Sequence, residues 1–327
     1  MNQSLKLAIL LLGSALLCVS GSASARASDY PSRPVRIIVP YPAGGGTDIA
    51  ARIIAQKLSD RLKQQVFVDN RAGANGNLGT ELIAKAAPDG YTLGMATPGP
   101  VTVGRSLYPT LPYDPAKDLT PIINANSSPI VLVVNPSLKV SSLKELVALA
   151  KQNPGKLTAA LVSTGSVPHL VTEMFKQAAG VNILDIPYKG GAPATLDVMN
   201  GQVNMLFSVL PLVLPNIRAG QLKVLAIASP KRSSLIPNVP TTAEQGYPDV
   251  VGSAWNGIVG PNSMPPEIVR QLNSETEQVL RSKDVDDQFA KLGMEPLGGS
   301  PKDFSSFLAS ESQKWAGVIK AAHIGPQ

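Results

Sequence analysis

Three consecutive glycines at residues 44–46 separate a short apolar run from an amphipathic segment in the stretch VPYPAGGGTDIAARIIAQKL. A strand that enters such a turn and continues as a helix exposes unpaired backbone N–H groups at the positive end of the helix dipole. Glycine has no Cβ atom, so a ligand can approach this main chain closely. The stretch therefore predicts a site for a carboxylate or phosphate group, although Thr47 or Asp48 could simply cap the helix.

A second stretch, LVSTGSVPHLVTEMF, has the same order of strand, small polar turn and helix. Residues 163–166 offer hydroxyl and backbone N–H groups, and Pro168 suits the first turn of a helix. His169 lies near the predicted helix start, where the dipole disfavours its protonated form, so we expect a neutral imidazole that bonds a ligand or a neighbouring loop. If the two loops lie on facing lobes, they predict an anion site in a cleft.

Motifs of enzymes and of cofactor-binding proteins are missing from this sequence. The first loop has neither the Gly-Lys-Ser/Thr of a P-loop nor the G-x-G-x-x-G spacing of a dinucleotide site, and neither G-x-S-x-G nor H-E-x-x-H occurs. The two histidines, His169 and His323, are too few for a metal cluster, and a Ser/His triad would depend on His169 alone. We therefore expect no cofactor and no metal, and a secreted enzyme is the disfavoured alternative.

Length and charge set wider limits. The chain has 327 residues, which is enough for one large or two ordinary domains. Its formal net charge is +6, but the lysines and arginines are scattered, without a run of five and without interleaved aromatic residues. This pattern argues against nucleic acid as a partner and indicates a mild attraction for anions.

The first 27 residues have the pattern of a secretory signal peptide. Lys6 precedes the apolar run LAILLLGSALL, and the small-residue segment SGSASARA follows. The A-x-A pattern predicts cleavage before Ser28, with a second candidate before Arg26. The only cysteine, Cys18, lies in this segment after a leucine, whereas lipid-modification signals favour a small residue there, so we expect export without lipidation.

Apolar runs alternate with helical patterns over most of the chain, which is typical of α/β proteins with parallel sheets. Strands are predicted at residues 35–40, 66–70, 91–97, 129–134, 157–162, 183–188, 205–209, 222–228 and 255–260. Helices are predicted over 48–62 and after a Ser142 to Glu145 capping box. The tail from residue 265 onward is predicted to be helical, with no strand between its helices.

Two extended stretches, at residues 122–134 and 250–260, have the character of crossings between lobes. If each runs from one lobe into the other, the chain begins in one lobe, builds the second and returns. This predicts a discontinuous lobe 1 of residues 28–127 and 251–327, and a lobe 2 of residues 128–250.

Several linked motifs resemble one family, the tripartite tricarboxylate transporter substrate-binding proteins or Bug receptors. They are YPSRPVRIIVPYPAGGGTDIAAR, VDNRAGANGNLGT, PDGYTLGMAT, STGSVPHLVTEMF, IPYKGGAPATLDVMNGQV and VPTTAEQGYPDV. The resemblance covers nearly the whole chain after the signal peptide. It implies a periplasmic solute-binding protein with two α/β lobes, related to type II, that close on a small carboxylated ligand like a Venus flytrap.

The resemblance also implies site residues. In the family, the loops that match residues 41–48 and 164–166 hold carboxylates through backbone amides, hydroxyls and bridging waters. Loops at the ends of predicted strands add further candidates, since open α/β sheets bind ligands there. The predicted ligand-binding residues are Tyr41, Ala43, Gly44, Gly45, Thr47, Asp48, Asn75, Thr97, Thr164, Gly165, Ser166, His169, Tyr188 and Ser208. Lys189 is a candidate counterion for the ligand carboxylate, but we expect its side chain to be solvated.

The implied partners are a small carboxylate and the membrane subunits of a tripartite transporter, with the receptor itself a monomer. Dicarboxylates, tricarboxylates, acidic amino acids and aromatic acids all remain open as ligands. A receptor that feeds a signalling partner is the alternative to transport, because both would use lobe closure as the signal.

We predict that the N-terminal segment is removed on export. Intact-mass analysis of the periplasmic protein is expected to give a chain that begins at Ser28 or Arg26. Retention of Met1 on exported protein would contradict this prediction.

Overall fold

A computed structural model describes residues 30–108, 110–162, 164–188 and 190–325. The predicted signal peptide at residues 1–27, with Cys18, lies outside the described residues, as do Ser163 and Lys189. Within the described ranges, every helix is too short or too polar to cross a membrane.

The described residues form ten strands and ten α-helices. The strands are β1 (Val35–Val39), β2 (Val66–Asn70), β3 (Thr92–Ala96), β4 (Leu119–Val134), β5 (Thr158–Val162), β6 (Leu184–Tyr188), β7 (Met205–Val209), β8 (Lys223–Ile227), β9 (Ser253–Pro261) and β10 (Glu295–Gly298). The helices are α1 (Gly46–Leu62), α2 (Asn77–Ala84), α3 (Gly104–Leu107), α4 (Leu143–Gln152), α5 (Val167–Ala179), α6 (Gly191–Met199), α7 (Leu210–Arg218), α8 (Pro266–Leu280), α9 (Lys283–Lys291) and α10 (Pro301–Ala321).

Strand β4 belongs to two sheets. Its first part pairs with β9 and β10 in a sheet of order β2-β1-β3-β9-β4-β10. Its last part, from Ile130 to Val134, pairs with β7 and β8 in a second sheet of order β8-β4-β7-β5-β6. We call the first sheet with its helices lobe 1, and the second sheet with its helices lobe 2.

The core of lobe 1 is built between β1 and α1. Ile37 and Val39 of β1 are fully buried, and Ile54 and Leu58 of α1 pack in the same cluster. A strand buried in this way gains about 25 cal/mol for each Å² of apolar surface removed from water. This burial fixes the direction in which α1 leaves the glycine loop.

The apolar run PIVLVV places the end of β4 inside lobe 2. Ile130 and Leu132 face the cluster that contains Phe175, whereas Val131 and Val133 face the cluster that contains Leu210. Both faces of the strand are therefore buried, which explains why its sequence does not alternate.

The parallel sheets predicted from the sequence are present only in part. β1, β2 and β3 are parallel, as are β5, β6 and β7, but β4 and β9 run antiparallel to their neighbours. A chain that enters one lobe and later returns must run in both directions at the crossing. The predicted crossings at 122–134 and 250–260 overlap these two strands.

The prediction of a tail without a strand is wrong. β10 lies between α9 and α10, and it pairs with β4 through contacts such as Pro296 with Asn126. Its sequence, EPLG, has too few β-forming residues to be recognised, and proline is tolerated because β10 is an edge strand. The strand forms because β4 offers it a partner.

The start of α4, unlike strand β10, is determined by its local sequence. The Ser142 hydroxyl accepts a hydrogen bond from the Glu145 N–H at 3.2 Å, as the predicted cap requires. The Glu145 carboxylate accepts from the Ser141 N–H at 2.6 Å, not from Ser142, so only half of the predicted capping box forms.

The C-terminal helix α10 contacts the cores of both lobes. Phe304 packs edge-on against Trp255 of β9 with ring centroids 5.8 Å apart, while Trp315 and Ile319 lie in the cluster of Phe175. The predicted lobe boundaries at residues 127, 128, 250 and 251 stay predictions.

Trp315 should be a major anchor of α10. Its side chain is fully buried, and its indole N–H donates to the Glu311 carboxylate at 2.9 Å. We expect Trp315→Ala to lower the free energy of unfolding by about 3–5 kcal/mol, because it leaves a large cavity. Trp315→Phe, which keeps most of the packing, should cost clearly less in denaturant unfolding. An equal loss in the two variants would show that the hydrogen bond, not packing, holds the helix.

Candidate functional site

A cleft of about 670 Å³ lies between the lobes. Lobe 1 lines it with Tyr41, Gly44, Gly45, Gly46, Thr47, Ile49, Asn75, Thr97, Pro98, Gly99, Lys291, Leu292 and Met294. The crossing strands contribute Ser128, Ala254, Trp255 and Asn256, and lobe 2 contributes Ser166, Val167, Pro168, Val209, Pro211, Leu212, Leu214, Pro215 and Arg218. None of these lining residues is acidic.

The glycine loop turns into α1 at the wall of the cleft. Gly44 has a φ of +86°, the left-handed region that favours glycine, whereas Gly45 is the N-cap residue with a φ of −79°. Among the described residues, we find no acceptor for the N–H groups of Gly45, Gly46 and Thr47. These donors lie at the positive end of the helix dipole, which is a suitable place for an anion.

Asp48 holds this loop in place. Its carboxylate accepts hydrogen bonds from the Gly44 N–H at 2.8 Å, from Arg52 Nε at 3.0 Å and from Asn70 Nδ2 at 2.9 Å. Burial would raise the pKa of Asp48, but the hydrogen bonds from Arg52, Gly44 and Asn70 outweigh it and hold the pKa below the ordinary value. Asp48 is buried, with 2% of the residue exposed, and it does not line the cleft.

The Thr47 hydroxyl is the first member of a polar chain that leads away from the cleft. It donates to Asn256 Oδ1 at 2.8 Å, and Asn256 Nδ2 donates to the fully buried Asn126 at 3.3 Å. Because the Thr47 hydroxyl donates its proton to Asn256, its oxygen can act only as an acceptor toward a further partner. In this arrangement Thr47 suits a hydroxyl, amino group or water, while the backbone N–H groups suit a carboxylate.

Tyr41 and Thr97 join two further loops of lobe 1. Their hydroxyls are 3.1 Å apart, and burial of Tyr41 raises its pKa, so the phenol stays protonated. Asn75 lies beside them in a turn before α2 with a φ of +53°, a conformation that asparagine tolerates better than most residues. All three residues line the cleft.

The second predicted loop begins α5 on the opposite wall. The Ser166 hydroxyl caps the helix by accepting from the His169 N–H at 3.3 Å, and it also donates to the Val162 carbonyl. Ser166 lines the cleft, whereas Thr164 and Gly165 do not. One predicted loop thus lies on each wall.

His169 supports this loop from behind. It is buried, and its Nδ1 accepts a hydrogen bond from the Gly165 N–H at 2.9 Å, which requires the other ring nitrogen to carry the proton. Burial lowers the pKa of His169, and nearby Lys176 lowers it further against the opposing effect of Asp185. Of the two expected uses of a neutral imidazole, the structure shows the bond to a neighbouring loop.

The remaining predicted residues lie away from the cleft wall. The Tyr188 hydroxyl donates to Asp197 at 2.6 Å, and burial together with that carboxylate raises the pKa of Tyr188 to about 12. Ser208 is buried in β7, where its hydroxyl reaches only the Val209 carbonyl at 3.4 Å, and Ala43 is exposed in the glycine loop. Their predicted contacts with a ligand stay predictions.

Part of the cleft wall was not predicted from the sequence. Helix α7 contributes Pro211, Leu212, Pro215 and Arg218, and the segment of residues 291–294 contributes the facing side. The α7 residues could have been predicted, because α7 follows directly after the carboxyl end of β7, where open α/β sheets bind ligands. Nothing local distinguishes Lys291 from other exposed lysines.

Comparison with known proteins decides the family. A family model described as the tripartite tricarboxylate transporter family receptor matches residues 50–324. The chain belongs to this receptor family. Protein BugT of Bordetella pertussis is 43% identical to this receptor over 321 residues, which make up 98% of each chain.

Solved structures of similar proteins have the same fold as this receptor. Rpa4515 of R. palustris with adipate is 38% identical, with a TM-score of 0.81 and coverage of 91% of this chain and 100% of that chain. The periplasmic binding protein BugD is 32% identical, with a TM-score of 0.77 and coverage of 91% and 100%. MatC of Rhodopseudomonas palustris with bound malate is 29% identical, with a TM-score of 0.76 and coverage of 89% and 100%. They confirm the predicted periplasmic binding protein fold.

The lowered pKa of His169 predicts a pH dependence of stability. The folded pKa of His169 lies below its unfolded-state value of 6.5, so as the pH falls below 6.5 the unfolded chain binds a proton before the folded receptor does. Protonation therefore favours the unfolded chain. The stability that neutral His169 contributes is present above pH 6.5 and is lost as the pH falls. We expect the melting temperature to fall more steeply between about pH 7 and pH 5.5 than in His169→Gln, whose amide oxygen can still accept from Gly165. Parallel curves for the two proteins would contradict this.

Proposed function

We propose that this receptor is exported to the periplasm, captures a small carboxylate between its lobes and delivers the ligand unchanged to the membrane subunits of a tripartite transporter. The observation that carries the proposal is the row of N–H groups at Gly45, Gly46 and Thr47, which lie in the cleft without an acceptor among the described residues. An anion is the ligand that satisfies several such donors at once.

The opposite wall supports the same ligand class. Ser166 begins α5 there, so the N-terminal ends of two helices meet one cleft from two lobes. A carboxylate between them gains hydrogen bonds from both, and that gain is larger when the lobes are closed than when they are apart. Ligand binding therefore favours closure.

Neutral donors also suit a receptor that must release its ligand. A buried ion pair pays a large desolvation cost on binding and leaves an uncompensated charge when it breaks. Backbone N–H groups keep their dipole in both states, and the charge of Asp48 is already balanced by Arg52 at 3.0 Å. The carboxylate thus meets donors without an opposing free anion.

The ligands of similar proteins agree with this class. Rpa4515 is described with adipate and MatC with bound malate, and both are dicarboxylates. We propose a ligand of that kind for this receptor.

Gly45 tests the proposed contact. A Cβ atom there would meet only the Pro42 carbonyl oxygen, at 3.8 Å, and its φ of −79° suits any residue. We expect Gly45→Val to fold normally but to lower carboxylate affinity by more than about tenfold, because the side chain fills the space before the N–H groups.

The measurement begins with a thermal-shift panel of carboxylic acids on the wild-type receptor. A ligand at about a hundred times its Kd adds about 2.7 kcal/mol of stability, which such a panel detects. Calorimetric titration then compares wild type, Gly45→Val and Gly317→Val, a control whose new Cβ has no neighbour within 4 Å and lies outside the cleft. Undiminished binding in Gly45→Val would refute the backbone site.

A further inference from the structure

A buried hydrogen bond holds the loop that precedes α5. The Gly165 N–H donates to His169 Nδ1 at 2.9 Å, and only 7% of His169 is exposed. The next two residues, Ser166 and Val167, line the cleft, and among the described residues their N–H groups have no acceptor. His169 therefore fixes the position from which this wall of the cleft offers hydrogen-bond donors.

Gly165 is also packed closely on the side that faces α3. It has a φ of +75°, and a Cβ atom added there would overlap the Leu107 side chain. Leu107 packs in the same core cluster as Val167, and its segment of the chain follows residues 98–99 of the opposite cleft wall. A displacement of Gly165 therefore disturbs packing that supports both walls.

Protonation of His169 would turn the bond to Gly165 into a repulsion. A neutral imidazole has one donor and one acceptor, whereas an imidazolium has two donors and no acceptor. Two N–H groups cannot form a hydrogen bond across 2.9 Å, so the Gly165 N–H must leave when Nδ1 carries a proton. The loop before α5 then loses the bond that fixes it.

A cluster of charged groups lies beside the other ring nitrogen. His169 Nε2 is 4.0 Å from the Glu173 carboxylate, and Lys176 bonds Glu173 at 2.8 Å and Asp185 of β6 at 2.5 Å. With two carboxylates and one ammonium group, the cluster leaves a neutral His169 beside one net negative charge. An imidazolium would balance that charge, so the fold can accept the proton without an isolated buried cation.

Other elements packed against α5 bring few charges. Strands β5 and β7 have no charged residue, and the α3 cation, Arg105, pairs with Asp114 at 3.0 Å. On another face of α5, Lys314 pairs with Glu311 of α10 and Asp249 lies near Met174. Burial and Lys176 lower the pKa of His169 against the effect of Asp185, so the midpoint of its protonation lies below pH 6.5.

We propose that His169 is a pH switch on carboxylate binding: the neutral imidazole holds Gly165 in the binding arrangement, and protonation releases the loop before α5 and weakens binding. The switch rests on the proposed function, because the ligand must contact the wall at Ser166. By linkage, ligand binding favours the neutral imidazole and expels its proton in mild acid. A receptor of this kind holds its ligand at neutral pH and gives it up as its surroundings acidify.

A purely electrostatic effect of His169 would have the opposite sign. An imidazolium near a bound carboxylate attracts it, so protonation would strengthen binding and the ligand would draw a proton onto the receptor. The direction of proton exchange on binding therefore separates the two mechanisms.

Calorimetric titration of the full receptor with adipate and with malate, at about pH 7.5 and about pH 5.5, tests the switch. In His169→Asn, the amide oxygen lies as many bonds from Cα as Nδ1 does, so it can accept from Gly165 at both pH values. We expect wild type to lose about two- to tenfold more affinity in acid than this variant, since only the neutral fraction binds. The comparison also cancels the protonation of the acids themselves. Titrations at about pH 6 in buffers of different ionisation enthalpy should show proton release by wild type alone.

Two further variants serve as controls. His323→Asn removes the other histidine, which is exposed and has a φ of +53° that asparagine tolerates, so it should keep the wild-type pH dependence. Asp185→Asn removes the carboxylate that opposes the low pKa of His169, so it should move the loss of affinity to lower pH. Circular dichroism at each pH checks that every variant is folded.

A measurement without ligand separates the switch from the proposed function. The nitrogen–nitrogen coupling across the Gly165 to His169 bond should be visible by NMR at neutral pH and should vanish as His169 is protonated. Persistence of this coupling at about pH 5.5, equal pH dependence in wild type and His169→Asn, or proton uptake on binding would each overturn the switch. If neither acid bound wild type at neutral pH, the proposed function and the effect on binding would be overturned, while NMR would still report the release of Gly165.

Discussion

Strand β4 determines the geometry of this receptor because it is a member of both sheets. Its first part pairs with β9 in lobe 1, and its last part pairs with β7 and β8 in lobe 2. The cleft lies beside this shared strand, and Ser128 and Asn256 form part of its wall where β4 and β9 run together. The lobes are also joined where the Ser233 hydroxyl donates to Glu295 of β10. Any movement of one lobe relative to the other must therefore bend the backbone near these crossings.

Within that frame, the anion site depends on which hydrogen bonds the protein makes with itself. Asp48 accepts a hydrogen bond from the Gly44 N–H, whereas the N–H groups of Gly45, Gly46 and Thr47, which line the cleft, have no acceptor among the described residues. His169 takes the Gly165 N–H in the same way on the other side. Each loop is thus held by a side chain four residues further along the chain, in the first turn of the helix that follows the loop.

Many elements of the fold are predictable because their signals are local. Continuous apolar runs indicated the strands of both lobes, and Ser142 indicated the start of α4. β10 escaped prediction because its four residues become a strand only through pairing with β4. The antiparallel direction of β4 and β9 was not predicted for a similar reason, since strand direction is a property of a pair of strands and not of one segment.

The sequence by itself determined the family, the two polar loops and the absence of recognisable enzyme motifs, because glycines, caps and apolar periodicity act through neighbours along the chain. Only the tertiary structure decided which predicted residues share a wall. It brought Tyr41, Asn75 and Ser166 to one cleft, and it turned Tyr188 toward Asp197. It also placed Arg218 and Lys291 in the same cleft, although they are far apart in the chain and come from different lobes. Contacts between residues so far apart in the chain depend on how β4 and β9 join the two sheets, and no local pattern of residue types encodes that arrangement.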